Sequence, residues 1–279
     1  MKQTSRIQSS LLSCTIVVLV LMVWTAFTTQ SGGGVASGAD PAYAALMNED
    51  AGGAGIPSPL DVGRALVQQL SDPFYDAGPN DKGIGLQLAY SLARVLLGFA
   101  LAMIVGVPLG FVIGMSPLLS GALNPIIQIL KPVSPLAWMP LALYTIKDSG
   151  QSAIFVIFIC SIWPMLVNTT FGVANVRSEW LNVGRTLEVP PLKRALTIIL
   201  PAAAPTIVTG MRISIGIAWL VIVAAEMLVG GTGIGYFIWN EWNNLSIVNI
   251  IVAILVIGVI GMILDQMLAG ISRLITFQE

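Results

Sequence analysis

Residues 182–205 read NVGRTLEVPPLKRALTIILPAAAP, and the organisation of the chain can be worked out from them. The first half mixes apolar and basic residues, which is typical of a short amphipathic helix on a membrane surface. A turn is predicted at Pro190–Pro191, followed by a second helix that runs to Leu200–Pro201. Such a pair of helices can dock into a groove on a soluble partner, with Leu187 and Val189 as candidate anchors. The alternative is a loop that only rests on the bilayer surface.

The rest of the chain is strongly apolar. Of its 279 residues, 56% are hydrophobic and 10% are charged, and the mean hydropathy is +0.86. A water-soluble domain carries about a quarter charged residues. The composition therefore excludes an ordinary soluble enzyme and predicts an integral membrane protein.

Several other function classes are disfavoured by residue content. The chain has 13 Lys and Arg against 14 Asp and Glu, and no His. This balance lacks the basic footprint of a nucleic-acid binder, and a histidine metal site is impossible. Catalysis would lack its commonest acid–base residue, so we expect no enzyme active site. Cys14 and Cys160 lie in apolar runs and are expected to be packed thiols rather than a disulfide.

Six apolar runs are long enough to cross a bilayer, which takes about 20 residues. They are Leu11–Phe27, Leu86–Met115, Leu118–Ile146, Ser152–Val173, Ala203–Val229 and Val248–Ile271. The predicted fold is an all-α membrane protein with about six transmembrane helices. Its predicted parts are an N-terminal transmembrane helix over 1–27, an external loop over 28–85, and a five-helix core over 86–279 that contains a cytoplasmic loop over 174–202. Gly106, Gly110 and Gly114 recur every four residues and predict a face for close helix packing.

The first apolar run has two interpretations. It follows Lys2 and Arg6 and precedes small residues, so it also fits a signal peptide cleaved near 36–39. We favour a retained helix because a core of 17 residues is long for a signal peptide and because it makes the number of spans even.

The loop over 28–85 contains seven acidic and two basic residues and no run of spanning length. Within it, the segment 57–70 places Leu60, Val62, Leu66 and Leu70 at roughly helical spacing. We predict an interfacial helix there, with a short amphipathic turn as the alternative.

The charges outside the spans predict the orientation. The N-terminus, the loop over 174–200 and the C-terminal tail hold seven basic and three acidic residues, whereas the opposite side holds three basic and nine acidic residues. By the positive-inside rule, both termini and the 174–200 loop are predicted to be cytoplasmic.

The third span is interrupted by four prolines and carries Lys131 near its middle. Its prolines are Pro125, Pro132, Pro135 and Pro140. A helix interior does not tolerate this density of proline, so we predict a short segment, an irregular stretch at residues 131–135 and a shorter span. Irregular backbone at membrane depth is found where it lines a cavity, which points to a transport pathway.

The stretch quoted first resembles the EAA motif of permease subunits in bacterial ABC importers. The motif is EAA, three residues, Gly, nine residues and Ile-x-Leu-Pro. Its positions fall on Asn182, Val183, Gly184, Glu188, Ile198, Leu200 and Pro201. Two departures from it matter, because Asn182 replaces the acidic residue and Glu188 replaces the glycine. The resemblance implies that coupling to the ATPase involves Asn182, Val183, Gly184, Arg185, Thr186, Leu187, Glu188, Leu200 and Pro201.

The resemblance extends beyond the motif to residues 57–271. It points to one branch of these permeases. SLARVLLGFALAMIVGVPLGFVIG and LKPVSPLAWMPLALYTI look like the branch that moves nitrate, bicarbonate, sulfonates and taurine. DPFYDAGPNDKGIG resembles the cyanobacterial nitrate and bicarbonate permeases. Overall similarity favours nitrate, with nitrite as a companion substrate, over bicarbonate.

Membership in that family implies a larger complex. It would contain two permease subunits, two cytoplasmic subunits that bind ATP and Mg²⁺, and an external solute-binding protein. The chain itself has no G-x-x-x-x-G-K-[ST] sequence, so it is not expected to bind ATP or any other cofactor.

A permeating anion must exchange its hydration for N–H donors, hydroxyls or a cation. The polar and aromatic residues within the spans are therefore the candidate pathway. They are Asn124, Gln128, Lys131, Ser134, Trp138, Trp163, Asn168, Thr169, Arg212 and Glu226. Lys131 could instead reach the cytoplasmic interface, the two tryptophans could belong to the interfacial belt, and Arg212 and Glu226 could serve packing.

An ATP-independent channel or secondary transporter is the competing class. Clear inverted repeats or paired intramembrane charges would favour it, and the sequence shows neither.

Overall fold

The computed structural model describes residues 2–31, 57–78 and 81–275, and these residues are almost entirely helical. The helices are α1 Lys2–Ser31, α2 Pro59–Ser71, α3 Ile84–Met115, α4 Pro117–Leu130, α5 Pro135–Ile146, α6 Ser149–Ala174, α7 Ser178–Thr186, α8 Pro191–Arg194, α9 Leu200–Val229, α10 Ile234–Asn243 and α11 Ile247–Ile275. A π-helical turn, Ala195–Ile199, joins α8 to α9. The all-α prediction is confirmed.

Five helical stretches in the described residues are long and apolar enough to cross a membrane. They are Leu11–Thr28, Ile84–Met115, Ser149–Ala174, Pro191–Val229 and Ile247–Ser272. The α4–α5 pair makes a sixth if its two helices, bent by 91°, count as one span. This agrees with the prediction of about six transmembrane helices.

The break within the third span lies where it was predicted. Lys131 caps the C-terminus of α4, and Ser134 directly precedes α5. Pro135 lies in the first turn of α5, where its missing N–H has no helical partner to lose. Pro125 and Pro140, by contrast, stay inside their helices, so the prolines interrupt the chain less than their density suggests.

The described chain forms two compact units. The larger comprises residues 74–237 and 256–279, and in it α6 packs along both α3 and α9. The buried apolar side chains of these three helices include Val95, Ala102, Val156, Ile157, Met165, Ala218 and Ile222. Its core is therefore a helix bundle with α6 at the centre.

Glycines of α3 let α6 approach closely. A Cβ added at Gly110 would lie 2.7 Å from the Leu166 carbonyl oxygen and 2.8 Å from Thr169 Cβ. The hydroxyl of Thr170 donates a hydrogen bond to the Gly110 carbonyl at 3.1 Å. The packing face predicted from the four-residue glycine repeat is present.

Gly110→Ala should therefore destabilise the permease core by about 1–3 kcal/mol, the usual range for overpacking. Thermal unfolding of the detergent-purified protein, followed by loss of its monodisperse chromatographic peak, measures this effect. An unchanged midpoint would contradict the close approach of α3 and α6.

A short turn precedes α3 in the same unit. Lys82 Nζ contacts Asp76 Oδ2 at 2.6 Å, and the Tyr75 hydroxyl donates to Asp81 Oδ1 at 2.9 Å. The hydrogen bond from Lys82 holds the pKa of Asp76 below its ordinary value. The stabilisation from this pair is thus present above the ordinary carboxyl pKa and is lost as the pH falls through the lowered one.

The smaller unit comprises residues 1–73 and 238–255 and contains α1 and α2. Trp24 Nε1 donates to the Pro57 carbonyl at 3.1 Å, and Ser58 caps α2 by accepting from the Asp61 N–H. In α2, Val62 is buried while Leu60 and Val67 are exposed. The helix predicted at 57–70 is present, and its interfacial location and the domain division stay predictions. The signal-peptide cleavage region and residues 32–56 and 79–80 of the 28–85 loop lie outside the described residues.

Candidate functional site

Residues 178–199 form a helical hairpin, which comprises α7, a turn, α8 and the π-helical turn. At the end of α7, the Val189 N–H donates to the Gly184 carbonyl and the Glu188 N–H to the Arg185 carbonyl, both at 3.0 Å. Glu188 adopts a φ of 49°. This is the Schellman arrangement, in which the position of Glu188 is usually glycine.

Gly184 holds the two arms of the hairpin together. It is buried, and an added Cβ would lie 2.8 Å from Ile198 Cδ1 and 3.2 Å from Arg194 Cδ. An alanine at Gly184 would require the ends of the Ile198 and Arg194 side chains to shift, so a small residue suits this contact between the two arms.

The outer surface of the hairpin is apolar and flanked by charges. The exposed apolar side chains are Val183, Leu187, Leu192 and Leu196, and Leu187 is 70% exposed. Arg185, Glu188 and Lys193 are also exposed. Val189, the second predicted anchor, is half-buried, so Leu187 is the better placed of the two for contact with a partner.

The left-handed conformation of Glu188 predicts a stabilising substitution. A non-glycine residue in this region costs about 1–2 kcal/mol. Glu188→Gly should raise the stability of the hairpin by about 1 kcal/mol, because the greater freedom of glycine in the unfolded chain offsets part of the gain. Protection of residues 178–199 from hydrogen exchange measures the change, with Glu179→Gly as the matched loss of charge. Equal effects of both substitutions would argue against backbone strain at Glu188.

The helix end predicted at Pro201 is wrong. Pro201 is exposed in the first turn of α9, and the helix continues through Leu200 without interruption. The wider π-helical turn directly before it leaves space for the proline ring. The hairpin therefore leads straight into a spanning helix, whose apolar stretch begins at Pro191 rather than at the predicted Ala203.

The pathway candidates on α4 and α5 are open to the surroundings. Gln128 Nε2 donates to Asn124 Oδ1 at 3.2 Å, and both side chains are exposed. Lys131 and Ser134 are exposed in the break, and Trp138 is half-buried beyond it. Four of these five residues thus present polar groups within and beside the irregular backbone.

The candidates on α6 have a different environment. Asn168 donates to the Pro164 carbonyl at 2.8 Å, and Thr169 is fully buried with no partner for its hydroxyl among the described residues. Trp163 lines a groove of about 360 Å³ whose other walls are aliphatic. They are Leu109, Val112, Ile113, Leu119, Leu123, Ile126, Ile127 and Leu166. Trp163 therefore faces an apolar groove rather than a polar path.

Arg212 of α9 forms a two-pronged ion pair with Asp265 of α11. Nε contacts Oδ1 at 2.5 Å and Nη2 contacts Oδ2 at 2.6 Å. The two side chains are 46% and 47% exposed. Seven residues further along α9, Trp219 Nε1 donates to the Ile257 carbonyl at 3.0 Å. Arg212 is thus engaged in helix pairing, one of the roles anticipated for it.

Glu226 lies at the other end of α9 and is enclosed. It is 2% exposed and pairs with Arg94 of α3, with Nη1 and Oε1 at 2.7 Å. Its second oxygen accepts from the Ser91 hydroxyl at 2.7 Å and from the Gly235 N–H at 3.1 Å. Glu226 is thus held by three donors and has a structural role in this conformation.

Three side chains of α3 bind the connection between α9 and α10. Gln87 Oε1 accepts from the Gly233 N–H at 2.6 Å, Ser91 Oγ accepts from the Ile234 N–H at 2.9 Å, and Arg94 donates to the Thr232 carbonyl. Together with Glu226 they form what we call the Arg94–Glu226 cluster. Sequence reasoning missed its α3 members, although their i, i+4 and i+7 spacing on one helix face was a usable signal.

The chain resembles known proteins over most of its length. Residues 106–276 match the family described as binding-protein-dependent transport system inner membrane component. The chain belongs to this family. The permease is 45% identical to the nitrate import permease protein NrtB of Synechocystis sp. over 80% of its own length and 81% of that protein. It is 47% identical to the bicarbonate transport system permease protein CmpB of the same organism over 74% of each.

Among solved structures, the permease matches a chain of the MetNI methionine ABC transporter in an inward-facing conformation. The TM-score is 0.59 at 16% identity, over 67% of the permease and 94% of that chain. At this identity the match shows the fold alone, and that fold is the importer-permease fold predicted from the sequence.

Proposed function

We propose that the permease is the membrane subunit of an ATP-driven importer that carries nitrate, with nitrite as a second substrate. The observation that supports it best is the similarity to nitrate import permeases over four fifths of the chain. The exposed apolar surface of the hairpin over 178–199 is consistent with the ATP-driven part, because a surface of this kind marks contact with a protein or a membrane.

The working assembly contains two copies of the permease, two cytoplasmic ATP-binding subunits and an external solute-binding protein. ATP and Mg²⁺ are bound by the cytoplasmic subunits, since the permease sequence has no phosphate-binding loop. The permease is therefore a non-catalytic subunit of the inner membrane. The charge distribution supports cytoplasmic placement of both termini and of the hairpin.

Transport proceeds by alternating access. ATP binding closes the two ATPase subunits, and the hairpin carries this movement into α9, with which it is continuous. The residues that transmit it are Asn182, Val183, Gly184, Arg185, Thr186, Leu187, Glu188, Leu200 and Pro201. Hydrolysis of ATP returns the permease to the inward-facing state.

The anion crosses beside the broken α4–α5 span. Asn124, Gln128, Lys131 and Ser134 replace part of its hydration, because their polar groups are exposed at the break. Thr169, Glu226 and Arg212 do not face this path in the described conformation, because the first two are buried and Arg212 is paired with Asp265. A pathway that binds the anion weakly suits a subunit that receives its solute from a binding protein and must release it.

Bicarbonate is the second candidate substrate, and the 47% identity to a bicarbonate permease favours it. Uptake of labelled nitrate, with unlabelled nitrite and bicarbonate as competitors, tests the choice in cells that lack the permease and in cells where it is restored. Loss and rescue of nitrate uptake, blocked by nitrite but not by bicarbonate, is expected. Normal nitrate uptake with lost bicarbonate uptake would reverse the assignment.

An ATP-independent channel or secondary transporter is the competing mechanism, and the Arg94–Glu226 and Arg212–Asp265 pairs within the spans are paired charges of the kind that favours it. Copurification with an ATPase subunit distinguishes the two, and recovery of the tagged permease without any ATPase would favour the channel.

A further inference from the structure

Burying the charged side chains of the Arg94–Glu226 cluster costs free energy. Arg94 is 18% exposed and Glu226 2%, so both charges are largely withdrawn from water. A buried ion pair is seldom more stable than well-packed apolar residues of the same volume. Close packing along α3 does not otherwise use charge, because its glycines meet backbone and uncharged side chains of α6. The charges must therefore serve a more specific purpose.

What the cluster binds is the backbone that connects α9 to α10. Residues 230–235 read GGTGIG, and Gly230, Gly231 and Gly233 have φ values of 74°, 97° and 147°. Glycine-rich backbone of this kind has many alternative conformations. Four side chains select one of them by binding the Thr232 carbonyl and the N–H groups of residues 233–235.

The cluster also lies at the far end of the helix that the hairpin drives. Glu226 is 26 residues beyond Leu200, and at 1.5 Å per residue this is about 39 Å along α9. The 230–235 connection follows α9 directly in the chain, so movement of α9 reaches its first residue, and the rest of the connection and α3 follow only if contacts join them to α9. The hydrogen bonds of the cluster join these three parts.

We propose that Arg94 and Glu226 are positioning residues that lock the 230–235 connection to α3 and α9, so that ATP-driven movement of the hairpin changes the opposite face of the permease. This proposal rests on the proposed function, because it assigns a role within the ATP-driven cycle. Loss of these contacts leaves the rate of ATP hydrolysis unchanged but lowers the number of anions transported per ATP.

Glu226→Gln tests the proposal in the assembled transporter. The amide keeps the volume and can still accept a hydrogen bond, but it loses the charge that pairs with Arg94. Asp265→Asn is the matched control, because it also removes a carboxylate charge from an ion pair with α9. Asp265 pairs with Arg212 and not with the 230–235 connection. Ser91→Ala is a milder second variant, which removes one donor and one acceptor from the cluster.

Two quantities are measured in proteoliposomes with the ATPase and binding-protein partners. The first is the number of anions transported per ATP hydrolysed. The second is the rate at which a thiol reagent modifies Thr232→Cys, in a background of Cys14→Ser and Cys160→Ser, with and without ATP. The Thr232 carbonyl, which the cluster binds, is unchanged by this substitution.

Glu226→Gln is expected to lower transport per ATP about tenfold, the equivalent of one lost charge-assisted hydrogen bond, with ATPase activity within about twofold of the parent. The modification rate at position 232 should rise and lose its dependence on ATP. Ser91→Ala should change both quantities in the same direction by a smaller factor, and Asp265→Asn should leave the modification rate and its ATP dependence unchanged.

A proportional fall of transport and ATPase activity, with labelling that still responds to ATP, would overturn the proposal and leave the cluster a stability element. If Glu226→Gln fails to accumulate, the same comparison on Ser91→Ala decides. The labelling needs no nitrate, so a parent complex that hydrolyses ATP but does not move nitrate would count against the proposed substrate alone.

Discussion

Gly235→Ala is expected to abolish accumulation of the folded permease in the membrane. The added Cβ would lie 2.2 Å from the Val223 carbonyl oxygen and 2.9 Å from Glu226 Cβ. The first of these is backbone in the last turns of α9, so no side-chain rotation relieves the clash. Separating α10 from α9 would also break the bond from the Gly235 N–H to Glu226 and leave a buried carboxylate short of a donor.

Immunoblots of isolated membranes and size-exclusion profiles after detergent extraction measure this loss. The matched control is Gly121→Ala on α4, where no atom lies within 4 Å of the added Cβ. That variant should accumulate normally. Normal amounts of folded Gly235→Ala permease would show that α10 does not approach α9 as closely as described.

Leu187→Asp is expected to reduce transport to background while the permease remains folded in the membrane. Leu187 is 70% exposed at the turn of the hairpin, so the folded subunit loses little from the change. A carboxylate in an apolar groove of the ATPase would be desolvated without a partner, which costs several kcal/mol and at least about a hundredfold in affinity. The two subunits should therefore separate.

Copurification of the ATPase with tagged permease, together with anion uptake, measures the effect. Leu245→Asp serves as the control, because Leu245 is also highly exposed but lies outside the hairpin, between α10 and α11. It should retain the ATPase. Normal uptake by the Leu187 variant, or equal loss of the ATPase in both variants, would contradict the role assigned to the hairpin.

Much of the fold could be predicted because its signals are local. Span-length apolar runs predict helices wherever the chain must satisfy its own backbone in lipid, and the glycine repeat of α3 predicts the helix face that meets α6. The break at Lys131–Ser134 follows from proline chemistry. The turn predicted at Pro190–Pro191 lies slightly earlier, at residues 187–190, and Pro191 is the first residue of α8.

The buried ion pair could not be predicted from the sequence. Arg94 and Glu226 are separated by 132 positions, and a single sequence does not indicate which distant helices pack together. Arg94 is the single charge of its span, and Glu226 could be placed only within α9. The pairing of Arg212 with Asp265 was missed for the same reason. The i, i+4, i+7 pattern of Gln87, Ser91 and Arg94 indicates a polar helix face, but it does not indicate which segment of the chain contacts that face.

Continuation of the helix through Pro201 was missed for a different reason. A proline inside an apolar pattern usually ends or kinks a helix at the residue before it. Here a π-helical turn precedes the proline, and its wider hydrogen-bonding pattern has no recognisable sequence signature. The consequence is functional, since the hairpin and α9 become one continuous element.

The most direct test of the central claim is ATP-dependent uptake of labelled nitrate by proteoliposomes that contain the permease, its ATPase partner and its binding protein. Uptake is expected to require ATP, to be inhibited by nitrite, to be indifferent to bicarbonate and to be absent with Leu187→Asp. Nitrate uptake that proceeds without ATP, or that survives Leu187→Asp, would contradict the central claim.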